Sequence, residues 1–298
     1  KERLVMSFDY FRNTTKDQLM TIPLPASTGS EDIVVNFGEN QNVGYDFSVA
    51  GQVIRNKNWA WTSVINGSHV KDRIKQISDK LKNTAYQLEE DNPLKLRFRE
   101  GGSQYDIYAV RSAGIDPATG QEIFINKNGE YTFKYDAEDE VVVGNTQPKL
   151  QGTWLNTLRY KGWSLNFVFS YTFGGDTYNK TLWEKVEDID PRYNVDERAF
   201  TDRWKNPGDL SRYLAIKERR STTPHNSERF VERLNELWLS SATLTYEFQP
   251  KFLKRLGFKR LAVGVGVSDI VRFSTVKYER GTSYPYCRTI NLTFRPTF

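Results

Sequence analysis

From Trp163 to Phe173 the chain alternates almost without a break. Trp163, Leu165, Phe167, Phe169, Tyr171 and Phe173 are large and apolar or aromatic, while Ser164, Asn166, Ser170 and Thr172 are small and polar, with Val168 the exception. Strand side chains point to opposite faces with a period of 2, so this segment predicts a strand with one oily and one wet face. Leu150 to Tyr160 is patterned less cleanly, with Trp154, Leu158 and Tyr160 on one side and Gln151, Thr153, Thr157 and Arg159 on the other. Lys161 and Gly162 alone join the two halves, a hairpin connection. Each half has about 9–11 residues, the length of a tilted bilayer-crossing strand. Strands of soluble proteins typically have about 5–6. The hairpin therefore predicts a membrane β-barrel.

The same pattern recurs along the chain. Leu4 to Phe11 places Leu4, Met6, Phe8 and Tyr10 against Val5, Ser7 and Asp9, and a polar loop is expected from there to about Gln41. Val43 to Arg55 sets Val43, Tyr45, Phe47, Val49, Gly51 and Val53 against Gly44, Asp46, Ser48, Ala50 and Gln52. After the turn Asn56–Asn58, Trp59 to His69 carries Trp59, Trp61 and Ile65 on one side. Leu237 to Phe248 sets Trp238, Leu244, Tyr246 and Phe248 on one face. Leu261 to Ser268 and Tyr286 to Phe298 complete eight strands.

Residues 70–148 are the least regular. Val70 to Leu88 reads as partly helical, and Tyr105–Ile115 with Glu122–Tyr135 reads as two strands about a turn containing Pro117 and Gly120. If the turns at 56–58 and 161–162 lie on one membrane side, this region crosses an even number of times. Its poor alternation and the run Asp136, Glu138, Asp139, Glu140 favour no crossing. Connections then alternate short (56–58, 161–162, 249–259) and long (12–42, 70–148, 174–236, 270–285). Outer-membrane barrels share this asymmetry, with short periplasmic turns and long extracellular loops. Trp59, Trp61, Tyr160, Trp163, Phe248, Phe252 and Phe258 flank the short turns, where an interfacial aromatic girdle belongs.

Composition narrows the class. Mean hydropathy is −0.64 with 38% hydrophobic residues, which rules out helical spans but suits a barrel, where half of each strand is polar. The 14% aromatic content fits girdles. The net charge of +5 is small against 42 basic and 37 acidic residues, and no basic block interleaves with stacking aromatics, which argues against nucleic acid. The single cysteine, Cys287, reads as an inert strand residue. No signal peptide opens the chain, which enters a strand almost at once, as a piece of something longer would.

Several segments, taken together and in order, resemble the C-terminal part of SusC/RagA-type TonB-dependent transporters from Bacteroidota outer membranes. They are Ala113–Gly120 (AGIDPATG), Gly144–Lys149 (GNTQPK), Leu158–Trp163 (LRYKGW), Phe169–Gly175 (FSYTFGG), Asp202–Asp209 (DRWKNPGD), Arg229-Phe-Val and Leu239–Tyr246 (LSSATLTY), with the terminal Phe298. The resemblance covers about residues 40–298, the first 40 matching by pattern alone. It implies a 22-stranded barrel around a plug, a SusD-like surface lipoprotein outside, and TonB-driven import of glycan fragments or peptides. Eight strands cannot close so wide a barrel. Residues 1–298 are therefore expected to be an all-β, antiparallel transmembrane barrel segment with long extracellular loops. Plug, TonB-contacting part and first strands belong to the missing portion of the same transporter.

Expected site residues follow. Asp46, Ser48, Gln52, Asn166 and Ser170 face the lumen, and Tyr45, Phe47, Trp163, Leu165, Phe167 and Phe169 face membrane lipid. Tyr178, Trp183, Tyr193, Trp204 and Tyr213, on the loop 176–213, are candidates for substrate or lid contact by stacking. Self-packing of that loop is the competing reading. Phe298 ends the last strand as a barrel-assembly signal would. No catalytic residues, resident metal or cofactor is expected: His69 and His225 lack ligand spacing, Gly264-x-Gly266 lacks the rest of a phosphate loop, and no nucleophile elbow is present. Asp136–Glu140 and Glu187–Asp190 could hold calcium on the external loops, against a plain solvated acidic face. Two other architectures compete with the transporter reading. One is a self-contained eight-stranded outer-membrane barrel, structural or adhesive, whose first and last strands pair. The other is a soluble carbohydrate-binding β-sandwich.

Overall fold

The computed structural model describes residues 3–23, 32–78, 99–189, 192, 195–216, 226–248, 259–277 and 288–297. Strands β1 (Leu4–Pro23), β2 (Asp32–Arg55) and β3 (Trp59–Ile77) come first. Four short ones follow, β4 (Asp106–Ile115), β5 (Glu122–Ile125), β6 (Tyr131–Thr132) and β7 (Glu140–Asn145). The chain then forms β8 (Leu150–Tyr160), β9 (Trp163–Tyr178), β10 (Val231–Glu247), β11 (Arg260–Ser274) and β12 (Thr289–Thr297). One antiparallel sheet runs β1-β2-β3-β8-β9-β10-β11-β12, and a second runs β6-β5-β4-β7. β3 pairs directly with β8, and the described residues between them add no strand to the large sheet. This is the even-crossing outcome.

Directly opposed residues of an antiparallel ladder share a face. One row therefore runs Met6, Val49, Ile65, Trp154, Phe169, Leu239, Val271 across seven strands. The next row, one residue along and on the other face, runs Ser7, Ser48, Asn66, Thr153, Ser170. Tyr45, Phe47, Trp163, Leu165, Phe167 and Phe169 fall on the apolar face, and Asp46, Ser48, Gln52, Asn166 and Ser170 on the polar one. Two polar side chains on the apolar face accept from indole N–H groups. The Trp61 indole N–H donates to Asn156 Oδ1 (3.0 Å) and the Trp154 N–H to Ser63 Oγ (2.8 Å). Gly152 leaves room for the Tyr171 ring, whose hydroxyl donates to the Asn66 carbonyl (2.8 Å); a Cβ at Gly152 would come 2.0 Å from that carbonyl oxygen.

At the short-turn end, ring centroids lie 4.3 Å apart for Trp59–Tyr160, 4.7 Å for Trp163–Tyr246 and 4.9 Å for Tyr246–Phe248. The expected girdle is present there; Phe252 and Phe258 lie outside the described residues.

Several expectations are corrected. β1 and β2 stay paired from Leu4↔Gly51 to Pro23↔Asp32, where a polar loop was expected from 12 to 42. The ladder hydrogen bonds hold strands together without an apolar face, so composition does not mark where pairing ends. β3 likewise continues to Ile77, where a helix was expected from Val70; residues 79–88 lie outside the described residues. Trp238 stands opposite Ser170, on the polar face, although Leu244 and Tyr246 are on the apolar one. A register shift between Leu239 and Ser241 inserts Ser240 and flips the parity. Trp238 there stacks under Arg272 (4.5 Å), itself paired with Glu236 (3.0 Å). A second shift past Gln52 puts Ile54, not Val53, opposite Trp61.

The two competing architectures fall as well. β1 and β12 are the edges of the large sheet and share no ladder among the described residues, so the eight strands do not close on themselves. The small sheet meets the large one at its long-loop end, where the Asn145 N–H donates to Asp176 (3.0 Å), rather than covering its apolar face as a sandwich requires.

Candidate functional site

Two features of the structure are candidates for a functional site. The first is a hollow of about 580 Å³ on the polar face, lined by Asp9, Asp46, Ser48, Asn66, Thr153 and Ser170 with their neighbours. Its floor is a hydroxyl and amide lattice. Ser48 Oγ donates to Asn66 Oδ1 (2.7 Å), and Asn66 Nδ2 to Thr153 Oγ1 (3.3 Å). Four residues further along β8, beyond the hollow, Thr157 Oγ1 donates to Asn166 Oδ1 (2.8 Å) on the same face. Donors and acceptors spread over several strands suit a hydrated ligand bound by many weak contacts.

The second is a packed cap at the long-loop end, made from the segment between β9 and β10 together with the β4–β7 sheet. Asn179 caps a helical turn, Lys180–Leu182, by accepting from the Leu182 N–H (3.0 Å), and the turn widens into a π-type turn, Trp183–Glu187. Leu182, Trp183, Val186, Tyr213 and Phe230 make its apolar core, with Tyr178 packed alongside. Arg203 is buried beside them, its Nε donating to the Ala199 carbonyl (2.9 Å) and its Nη2 to the Val186 carbonyl (2.7 Å). Burial pushes its pKa down, the charges of Glu187 and Asp188 opposing that.

Two of the segments quoted above from the sequence meet here. The Trp204 indole N–H donates to the Pro117 carbonyl (2.8 Å), as does the Gly208 N–H (2.8 Å). Gly120, at φ +75°, lies against the Trp204 ring, so that a Cβ there would come 2.5 Å from ring carbons. The AGIDPATG turn and the DRWKNPGD turn are thus two halves of one joint.

A buried charge cluster pins the cap to the base of β10. Arg229 Nη2 donates to Glu187 Oε1 (2.6 Å) and to Glu122 Oε2 (3.0 Å), and Nη1 donates to the Arg212 carbonyl (2.6 Å). Its Nε is 2.9 Å from Glu122 Oε1, an ion-pair contact without an aligned N–H. Ser227 Oγ closes the ring on Glu122. Burial alone would lower the Arg229 pKa; Glu187, Glu122 and their hydrogen bonds reverse that and raise it. Sequence reading singled out Arg229 and Glu187 separately but missed their meeting with Glu122, because the three charged members are far apart along the chain.

Of the proposed contact residues, Trp183, Trp204 and Tyr213 are only 9%, 7% and 3% exposed, so their rings hold the cap together. Tyr193 and Phe298 lie outside the described residues, as do Cys287, His225 and Asp190. Of the acidic residues considered for calcium, Asp136, Asp139, Glu140 and Glu187 are engaged by protein donors. Asp136 caps the 3-10 turn Ala137–Asp139 (2.9 Å from the Glu138 N–H), Asp139 accepts from the Lys127 N–H (3.0 Å), and Glu140 from the Tyr135 hydroxyl (3.0 Å). Among the described residues no three His, Cys, Asp or Glu side chains converge as metal ligands.

No family model matches the chain. It is 25% identical over 316 residues to the TonB-dependent receptor P39 of Formosa agariphila, covering 92% of this chain and 30% of that protein. It is 26% identical to the TonB-dependent receptor P3 of the same organism, covering 91% and 28%. The chain is thus similar to part of a TonB-dependent receptor. The chain spans about 30% of the length of the curated relatives it matches, and the large sheet is accordingly an open section of a wider outer-membrane barrel. Among solved structures, the RagAB peptide transporter superposes with a TM-score of 0.75 at 20% identity, covering 92% of this chain and 30% of that one. The RagAB peptide importer in its closed-closed state gives 0.73 at 20%, covering 93% and 30%. The relatives are receptors and transporters, not enzymes.

Proposed function

We propose that residues 1–298 form the C-terminal part of a TonB-dependent importer of glycan fragments or peptides in a Gram-negative outer membrane. A plug, the TonB-contacting part and the remaining strands would come from the rest of the same transporter, and a SusD-like surface lipoprotein would cover the outer mouth. The observation that carries this reading is the two-faced sheet. The apolar rows through Phe47, Leu165, Phe167 and Phe169 meet lipid, and the rows through Asp46, Ser48, Gln52, Asn166 and Ser170 line a hydrated lumen with its 580 Å³ hollow. The cap above it, anchored by Arg229, acts as the packed wall or lid of the entrance.

Uptake by cells carrying the full transporter tests the reading. Fluorescent oligosaccharides and peptides are offered in parallel, with and without TonB. TonB-dependent entry of one class, reduced by Asp46→Ala or Asn66→Ala, supports it. Entry that ignores TonB, or no entry of either class, contradicts it.

A further inference from the structure

The apolar face changes character at one height. Along β3 its members are Trp59, Trp61, Ile65 and Gly67, then His69, and then Lys71 and Arg73, which stand opposite Val43 and Gln41. His69 still belongs to the aromatic surface: its ring is 5.2 Å from Tyr45, which stacks on Phe8 at 5.9 Å. It lies ten residues beyond the girdle residue Trp59. At about 3.3 Å per residue and a tilt of about 40°, that is about 25 Å of height, the thickness of a barrel's apolar band. Lys71 and Arg73 follow roughly 5 and 10 Å higher. Arg233, thirteen residues from Tyr246 on β10, reaches the same level.

These cations rim a single hollow of about 770 Å³, where β3 parts from β8. Lys71, Arg73, Lys149 and Arg233 are exposed at its mouth. The acids lining it are already held: Asp72 by the Ser103 hydroxyl and the Gln104 N–H (2.7 Å), Asp106 by the Ser103 N–H (2.9 Å) and Asn145 Nδ2 (2.8 Å), and Asp176 by the Asn145 N–H (3.0 Å) and Arg233 (3.2 Å). Among the described residues, Lys71, Arg73 and Lys149 form no ion pair. Lys71 and Arg73 continue the apolar-face positions of β3 immediately above the surface that meets acyl chains, and Lys149 is exposed beside them at the mouth of the hollow.

We propose that Lys71, Arg73 and Lys149 form a binding site for the phosphate groups of an outer-leaflet lipid, whose acyl chains lie along the aromatic patch of Phe8, Tyr45 and His69. This rests on the reading that the apolar face meets lipid. Ammonium and guanidinium groups on long stems reach a headgroup phosphate while the rings below keep to the interface. Continuity with the apolar face favours a lipid over a soluble anion.

The test uses the full transporter in nanodiscs containing phosphorylated lipid A, with native mass spectrometry counting retained lipid. Retention should fall roughly fivefold for each charge removed by Lys71→Gln, Arg73→Gln and Lys149→Gln, and Lys71→Arg should keep it. Lipid A stripped of its phosphates should be retained as poorly as by the triple variant. Equal retention by the triple variant, or of the stripped lipid, overturns the proposal, and so does displacement by millimolar inorganic phosphate, which would mark a soluble-anion site. If the transporter partitions into the aqueous phase without detergent, the membrane reading itself has failed; if it stays in membranes and ignores the phosphates, only the lipid site has.

Discussion

Arg229 Nη2 and Glu187 Oε1 are 2.6 Å apart, with side chains 9% and 1% exposed. This contact ties the first segment of the cap to the base of β10, while Glu122 on the same guanidinium ties in the small sheet. A cap built this way moves as one body or not at all.

Removing Arg229 should therefore loosen the whole cap. Arg229→Ala leaves two carboxylates buried without a cation, a change that costs about 3–5 kcal/mol. The triple exchange Glu122→Gln, Arg229→Met, Glu187→Gln leaves no uncompensated charge and should cost much less. Hydrogen exchange across 179–189 and 199–216 reads the difference: protection is lost in the single variant and largely kept in the triple.

The joint between Gly120 and Trp204 gives a sharper steric prediction. Gly120→Ala places a methyl 2.5 Å from the ring and 2.8 Å from Ala215 Cβ, at a φ of +75° that L side chains avoid. Overpacking with backbone strain should destabilise the cap by about 1–3 kcal/mol. Faster protease cleavage between 199 and 216 on intact cells would show it, with the barrel itself still assembled.

Asp196 predicts a pH effect. Its carboxylate accepts from Arg198 Nε (2.9 Å), Nη2 (2.7 Å) and the backbone N–H (2.9 Å), and the side-chain bond above all holds its pKa down to about 2, from 3.8. A depressed carboxylate stabilises the fold above its unfolded pKa and loses that contribution as pH falls through the folded value. Asp196→Asn should thus lower cap stability at pH 6, the gap to wild type closing between about pH 4 and 2. A gap that persists at pH 1.5 would contradict this account.

How much of this was legible in the sequence depends on the kind of contact. The clean alternation of Trp163–Phe173 made the strand and its two faces legible, because one buried or lipid-facing side constrains every second residue. Parity left residues 70–148 an even number of crossings, and their poor alternation with the acidic run Asp136, Glu138, Asp139, Glu140 pointed to none. The bulge at Ser240 was not legible: one inserted residue carries no compositional mark, yet it moved Trp238 to the other face. Nor were the upper halves of β1, β2 and β3, where the alternation fails although Phe37, Ile74 and Ile77 are buried there. In the cap, the aromatic residues Trp183, Trp204 and Tyr213 were visible as a group, but their burial depended on Arg229, Glu122 and Glu187 meeting across long sequence distances.

The central claim concerns which way alternate side chains of β9 face. Single cysteines at Asn166, Phe167, Phe169 and Ser170, in the full transporter with native cysteines replaced, can be labelled in cells with a membrane-impermeant, water-soluble maleimide and with a lipid-soluble one. The account predicts reaction with the aqueous reagent at 166 and 170 and only with the lipid-soluble one at 167 and 169. Aqueous labelling at all four positions, or at 167 and 169 alone, would contradict it.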